Sequence, residues 1–107
     1  MYYTYIIECV DGSLYTGVAV NVDRRIEVHS RKISRSAKYT RSHTFSRLRA
    51  VWESSDRSKA QKLEYRIKQL TRHQKLTLIE NDLLFPSLIK DLEREEYRRI
   101  NEKSTVD

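Results

Sequence analysis

Five residues have side chains and spacings suited to breaking a phosphodiester. They are Tyr5, Tyr15, Arg25, His29 and Glu64, separated by 10, 10, 4 and 35 positions. Two phenols can handle protons. A guanidinium and an imidazole one helical turn apart can hold a phosphate, and a carboxylate can hold a divalent cation. Such a set works only if the chain gathers all five at one place, which depends on the elements that carry them.

Residues 2–9 are β-branched and aromatic and read as a strand. Asp11-Gly12 marks a turn, and residues 13–20 read as the returning strand. A two-residue turn would pair Glu8 with Tyr15 and put the two tyrosines on opposite faces. A three-residue loop, with Gly12 left-handed in a bulge, would pair Ile7 with Tyr15 and Tyr5 with Gly17. Only the second register lets the tyrosines act together, and it is the one expected here. Asn21 can cap a helix running to about Ser30. On it Val22, Ile26 and His29 fall within about 60° of arc, with Arg25 on the flank of that stripe. A carboxylate partner for this Arg would be structural; a substrate phosphate would be functional.

Residues 31–46 have no clear period and read as loop. A third strand, 47–54, alternates Leu48, Ala50 and Trp52 against Arg49, Val51 and Glu53. Asp56 caps a long helix with the stripe Ala60, Leu63, Ile67 and Leu70, and Glu64 lies about 40° from Ala60, on its rim. Thr71 to Gln74 is a capping box that starts a further helix ending near Asn81. Pro86 suits the first turn of a last helix, roughly 86–102. The order ββαβααα predicts an α/β fold: a small three-stranded sheet flanked by helices, with one unit over 1–80 and a C-terminal helical extension, 81–107, packed on it. Leu88, Ile89, Leu92, Tyr97 and Ile100 would form the apolar stripe of that extension, facing its own domain or a partner.

Composition narrows the class. At 107 residues the chain has room for one modest core. Hydrophobic residues are 38% of the chain, with 7 Tyr, 2 Phe and 1 Trp to pack, which argues for a folded protein. A lone cysteine, Cys9, rules out an internal disulfide, and a reducing, cytoplasmic setting without membrane association is expected. Charge is uneven. Residues 24–49 hold nine Lys/Arg and one acid, Glu27, a local +8, while residues 80–107 hold eight acids and five bases, a net −3. A basic run interleaved with Tyr39, His43 and Phe45 suits a phosphate backbone, with aromatics for stacking.

Taken together, these motifs resemble the GIY-YIG endonuclease family, in particular its small single-domain proteins related to the nuclease subunit of structure-specific endonucleases. Tyr3-Thr4-Tyr5 stands for the first motif in degenerate form and Tyr15-Thr16-Gly17 for the second. Asp23-Arg24-Arg25-Ile26 with His29, then Ala37-Lys38-Tyr39-Thr40-Arg41, and Asp56-Arg57-Ser58 through Leu63-Glu64-Tyr65-Arg66-Ile67-Lys68 complete the pattern, over about three quarters of the chain.

The resemblance implies a metal-dependent DNA endonuclease, with branched or flapped DNA as a candidate substrate. It implies one Mg²⁺ or Mn²⁺ on Glu64, Arg25 on the scissile phosphate, and Tyr5 or Tyr15 taking a proton from water. His29 would orient a tyrosine or serve as the base itself. Arg24, Lys38, Tyr39 and Arg41 are the further candidates for nucleic-acid contacts. A second protein subunit or a homodimer is a candidate partner. Two other readings of the same residues are a binding module that does not cut and an interaction protein that uses its C-terminal helix. Two departures stand out: Val18 sits where many relatives carry Lys, and the first motif lacks its Gly and Ile.

Overall fold

The computed structural model describes residues 1–31 and 45–100, and of residues 28–31 the backbone alone. Strands β1 (Tyr2–Cys9) and β2 (Leu14–Ala19) form the first hairpin. Gly12 adopts φ 89° and closes a three-residue loop. The Cys9 N–H donates to the Ser13 carbonyl at 2.9 Å, and the Gly12 N–H to the Cys9 carbonyl at 2.8 Å. Asp11 Oδ1 accepts from the Ser13 N–H at 3.0 Å, stiffening the turn. The register pairs Ile7 with Tyr15 and Tyr5 with Gly17, as the bulged loop requires.

Helix α1 (Val22–Arg31) follows, capped by Asn21 Oδ1, which accepts from the Arg24 N–H at 3.0 Å. Strand β3 (Phe45–Ser54) starts two residues before the expected Arg47. Helix α2 (Arg57–Lys68) is capped by Asp56 and buries Ala60, Leu63 and Ile67. Helix α3 (Arg72–Glu80) opens with both hydrogen bonds of the Thr71–Gln74 capping box. None of these helices is long and apolar enough to cross a membrane.

Two expectations need correcting. Strict alternation along β3 would put Leu48 beside Ala50 and Trp52. Instead the pairing jumps from Ile6–Ala50 to Ile7–Leu48, so Arg49 is an extra residue. That bulge moves Leu48 to the α1 face, where it packs with Val51, while Ala50 and Trp52 pack on the α2 face. The freed Arg49 turns its guanidinium onto Glu8, 2.7 Å away, beside Arg47 at 3.0 Å.

The second correction concerns the end of the chain and the strand count. No helix spans 86–100; residues 101 and 102 lie outside the described residues. A 3₁₀ turn (Asp82–Leu84), a one-turn helix α4 (Phe85–Leu88) and a 3₁₀ turn (Arg94–Glu96) lead into a fourth strand, β4 (Arg98–Ile100). The sheet therefore has four antiparallel strands in the order β2-β1-β3-β4. Unpaired N–H and C=O groups along the outer edge of β3 gain partners this way. Tyr97 is buried, stacks on Phe85 at 5.7 Å and donates its hydroxyl to the Lys59 carbonyl at 2.8 Å.

The central strand β1 is buried on both faces. On one side Ile6, Ala50 and Trp52 pack against α2, α3 and α4. On the other, Tyr5, Ile7 and Val51 pack against Val22 and Ile26 of α1. The C-terminal segment is fastened at Asp82, which accepts from Trp52 Nε1 at 2.8 Å and pairs with Arg94 at 3.2 Å. Asp82→Ala would leave the Trp52 N–H without its acceptor inside the core. We expect a loss of about 1–3 kcal/mol, seen as a lower midpoint in urea unfolding followed by Trp52 fluorescence.

Candidate active site

The two tyrosines stand diagonally across the β1–β2 hairpin, with ring centroids 6.5 Å apart. Tyr5 is 1% exposed and Tyr15 is 38% exposed. A Cβ placed on Gly17 would lie 2.5 Å from the Tyr5 hydroxyl and 2.7 Å from Cζ. The missing side chain at Gly17 thus makes the channel through which the Tyr5 phenol crosses the edge strand β2. Sequence reading paired Tyr5 with Gly17 but did not see that the ring needs the glycine. The signal was the register itself, an aromatic directly opposite a glycine on an edge strand.

Burial raises the Tyr5 pKa to about 12, and Tyr15 and Glu64 add to the rise while Arg25 opposes it. All three groups therefore act electrostatically on one phenol, which is neutral near pH 7 and can donate a hydrogen bond. Tyr97 is raised to about 12 as well, chiefly by burial. An unfolded tyrosine ionises near pH 10, so on alkaline titration the unfolded chain releases these protons first. Stability is whole below about pH 10 and falls as the pH climbs toward about 12, by about 2–3 kcal/mol per tyrosine. Urea unfolding across that range checks this, and Tyr97→Phe is expected to remove about half of the dependence.

Arg25 and Glu64 approach from opposite layers. Arg25 lies on α1, is exposed, and makes no ion pair among the described residues. It lines a hollow of about 260 Å³ at the open edge of β2, with Tyr2, Val18, Ala19, Val20, Arg57 and Gln61. Arg57 and Gln61 belong to α2, so the hollow joins the two helical layers around the edge strand. Glu64, one turn beyond Gln61, is 25% exposed at its side chain and pairs with Lys68 Nζ at 3.1 Å. Exposed i,i+4 pairs of this kind contribute about 0.3–0.5 kcal/mol, little enough for a cation to displace.

The backbone of His29 continues α1 one turn past Arg25. Arg24 is exposed on the same helix. Lys38, Tyr39 and Arg41 lie outside the described residues. Arg57 stands in the Asp56-Arg57-Ser58 stretch of the family pattern but carried no site role there, and Gln61 reads as an ordinary polar residue on a helix.

The donor set suits a hard cation held loosely. Among the described residues no group of three or more His, Cys, Asp or Glu forms a cage. Mg²⁺ is commonly held by one or two carboxylates, with waters and substrate phosphate completing its shell, so a half-buried Glu64 one turn beyond the Gln61 of a hollow lined by Arg25 and Arg57 fits it.

A second hollow, of about 370 Å³, lies on the α1 face between Tyr3, Leu48, Glu53 and Arg98. Three of its polar side chains, Tyr3, Glu53 and Arg98, satisfy one another. The Tyr3 hydroxyl donates to Glu53 at 3.1 Å, and Arg98 pairs with the same carboxylate at 2.9 Å. It has no part in the arrangement around Tyr5.

Residues 1–77 match the GIY-YIG catalytic domain. The UPF0213 protein BH0048 of Halalkalibacterium halodurans is 44% identical over 78 residues, 73% of this chain and 81% of its own length. The UPF0213 protein VNG_2274C of Halobacterium salinarum is 45% identical over 78 residues, 73% of this chain and 99% of its own. A solution NMR structure of BH0048 covers 75% of this chain and 84% of that one, at 44% identity and a TM-score of 0.48.

Proposed function

The chain belongs to the GIY-YIG family, among its UPF0213 proteins, and on that premise we propose that it is a divalent-metal-dependent DNA endonuclease. GIY-YIG domains are typically endonucleases. The observation that carries the reading is the geometry at Tyr5: a buried phenol that reaches the edge strand past Gly17, with the exposed Tyr15 ring 6.5 Å away on the same face.

In this reading Arg25 grips the scissile phosphate. Its forked N–H groups match two non-bridging oxygens and stabilise the charge added in the transition state. Tyr5, kept protonated by burial, donates a hydrogen bond that orients the reacting groups. Tyr15 is the tyrosine with access to solvent and meets the attacking water. His29 is the other candidate for the base, because imidazole is the side-chain type suited to proton transfer at neutral pH. Glu64 would hold one Mg²⁺ or Mn²⁺, which supplies positive charge where the leaving 3′ oxygen becomes negative. Arg24, Lys38, Tyr39 and Arg41 would hold the DNA backbone beyond the reacting bond. A domain this small would work with a second subunit, or a second copy of itself, in choosing branched or flapped DNA.

Nicking of supercoiled plasmid tests the reading. The wild type is expected to nick with Mg²⁺ or Mn²⁺ and to stop when EDTA is added. Glu64→Gln is expected to lower the nicking rate by about 10²–10³-fold, with DNA affinity in EDTA unchanged. Equal nicking by both proteins would end the proposal. Binding without nicking in the wild type would leave a nucleic-acid-binding module instead.

A further inference from the structure

Most arginines whose contacts are described here are paired with acids. Arg47, Arg49, Arg66, Arg94, Arg98 and Arg99 all stand against carboxylates. Arg24, Arg25, Arg57 and Arg72 make no ion pair among the described residues, and of these Arg25 and Arg57 share one hollow.

Nearby acids are engaged elsewhere. Asp56, next to Arg57, accepts the Lys59 N–H at 2.8 Å as the cap of α2, and Glu64 is paired with Lys68. The first turn of α2 holds no acid. The strand side of the hollow offers Tyr2, Val18, Ala19 and Val20, with no Asp, Glu, Lys, Arg or His among them, so its cationic groups come from the helices. Two like charges facing a common space repel, and an anion seated there turns that repulsion into attraction. Gln61, on the same wall, adds an amide that can donate to a phosphate or a sugar oxygen.

We propose that Arg57 grips a backbone phosphate neighbouring the one held by Arg25, so that a single DNA strand crosses the edge of β2 from the α1 layer to the α2 layer. The proposal rests on the nucleic-acid part of the reading above and is independent of whether hydrolysis occurs. It makes Arg57 a DNA-binding residue outside the five that the sequence pattern singles out. Gln61 supports the same strand from the next turn of α2.

Fluorescence anisotropy with a short labelled duplex, in EDTA over a series of KCl concentrations, provides the test. Arg57→Gln is expected to weaken binding roughly five- to tenfold at about 0.1 M salt and to lower the salt slope by about one. Arg57→Lys keeps the slope, because the charge remains. Lys90→Gln removes an exposed charge that does not line the hollow and is expected to change neither quantity. In nicking assays Arg57→Gln raises KM and leaves kcat near the wild-type value, as expected for a contact made equally in ground and transition states. A slope for Arg57→Gln equal to that of Lys90→Gln overturns the proposal, as does a wild type that binds no DNA. If Glu64→Gln nicks like the wild type while Arg57→Gln still loses slope, the phosphate contact stands and the hydrolytic reading falls. If Glu64→Gln is inactive and Arg57→Gln binds normally, this proposal falls alone.

Discussion

Gly17→Ala is expected to cost the protein both activity and stability. The new methyl group would lie 2.5 Å from the Tyr5 hydroxyl and 2.7 Å from Cζ, distances at which something must move. Gly17 has no positive φ, so the constraint is space and not backbone conformation. Tyr5 is 1% exposed and wedged between Ile7, Ala19 and Val51, so its ring can retreat only by disturbing the α1 face of the core. Overpacking of this kind costs about 1–3 kcal/mol. For a domain of this size that lowers Tm by roughly 5–20 °C. A phenol displaced by about 1 Å is expected to lower kcat by about 10²-fold.

Thermal melts and single-turnover nicking would measure the two effects. The clash is specific to the ring, so Gly17→Ala in a Tyr5→Leu background should cost far less stability than in the wild type. Simple additivity of the two substitutions would mean that the methyl group strikes something else.

Arg25→Ala should separate activity from stability. Its guanidinium is exposed and makes no ion pair among the described residues, so Tm is expected to stay within the change caused by about 0.5 kcal/mol. Loss of a preorganised charge at the scissile phosphate lowers kcat by about 10²–10³-fold. Arg25→Lys should recover only a small part of this, because an ammonium cannot offer two parallel N–H groups to two oxygens. Cutting at the wild-type rate by Arg25→Ala would remove Arg25 from the phosphate. A marked fall in Tm would give it the structural role that a carboxylate partner implies.

What could be read in the sequence was mostly local. Asp11-Gly12 with a bulged loop set the register that puts Tyr5 and Tyr15 on one face, and the pairing of Tyr5 with Gly17 followed from it. Asn21, Asp56 and Thr71 placed three helix starts, because each cap is completed within three or four residues. The buried stripe of α2 followed from its period. In each case the hydrogen bond or apolar face that decides the outcome lies within a few residues of its own signal.

The stretch from 86 to 100 differs from its expected helix for the opposite reason. Leu88, Ile89, Leu92, Tyr97 and Ile100 have spacings that also fit a helix. What decided their fate was the unpaired outer edge of β3, some fifty residues upstream, to which Ile100 pairs at Val51. The bulge at Arg49 likewise answers to Glu8, on another strand.

The sequence by itself determined which residue types were present and which short elements carried them. Tertiary structure alone decided that Arg25 and Arg57, from helices on opposite faces, share one hollow, and that the Tyr5 phenol reaches the edge strand where Gly17 leaves room. The reason is that layer packing around an edge strand is governed by buried area and backbone pairing over long separations, and no local period encodes either.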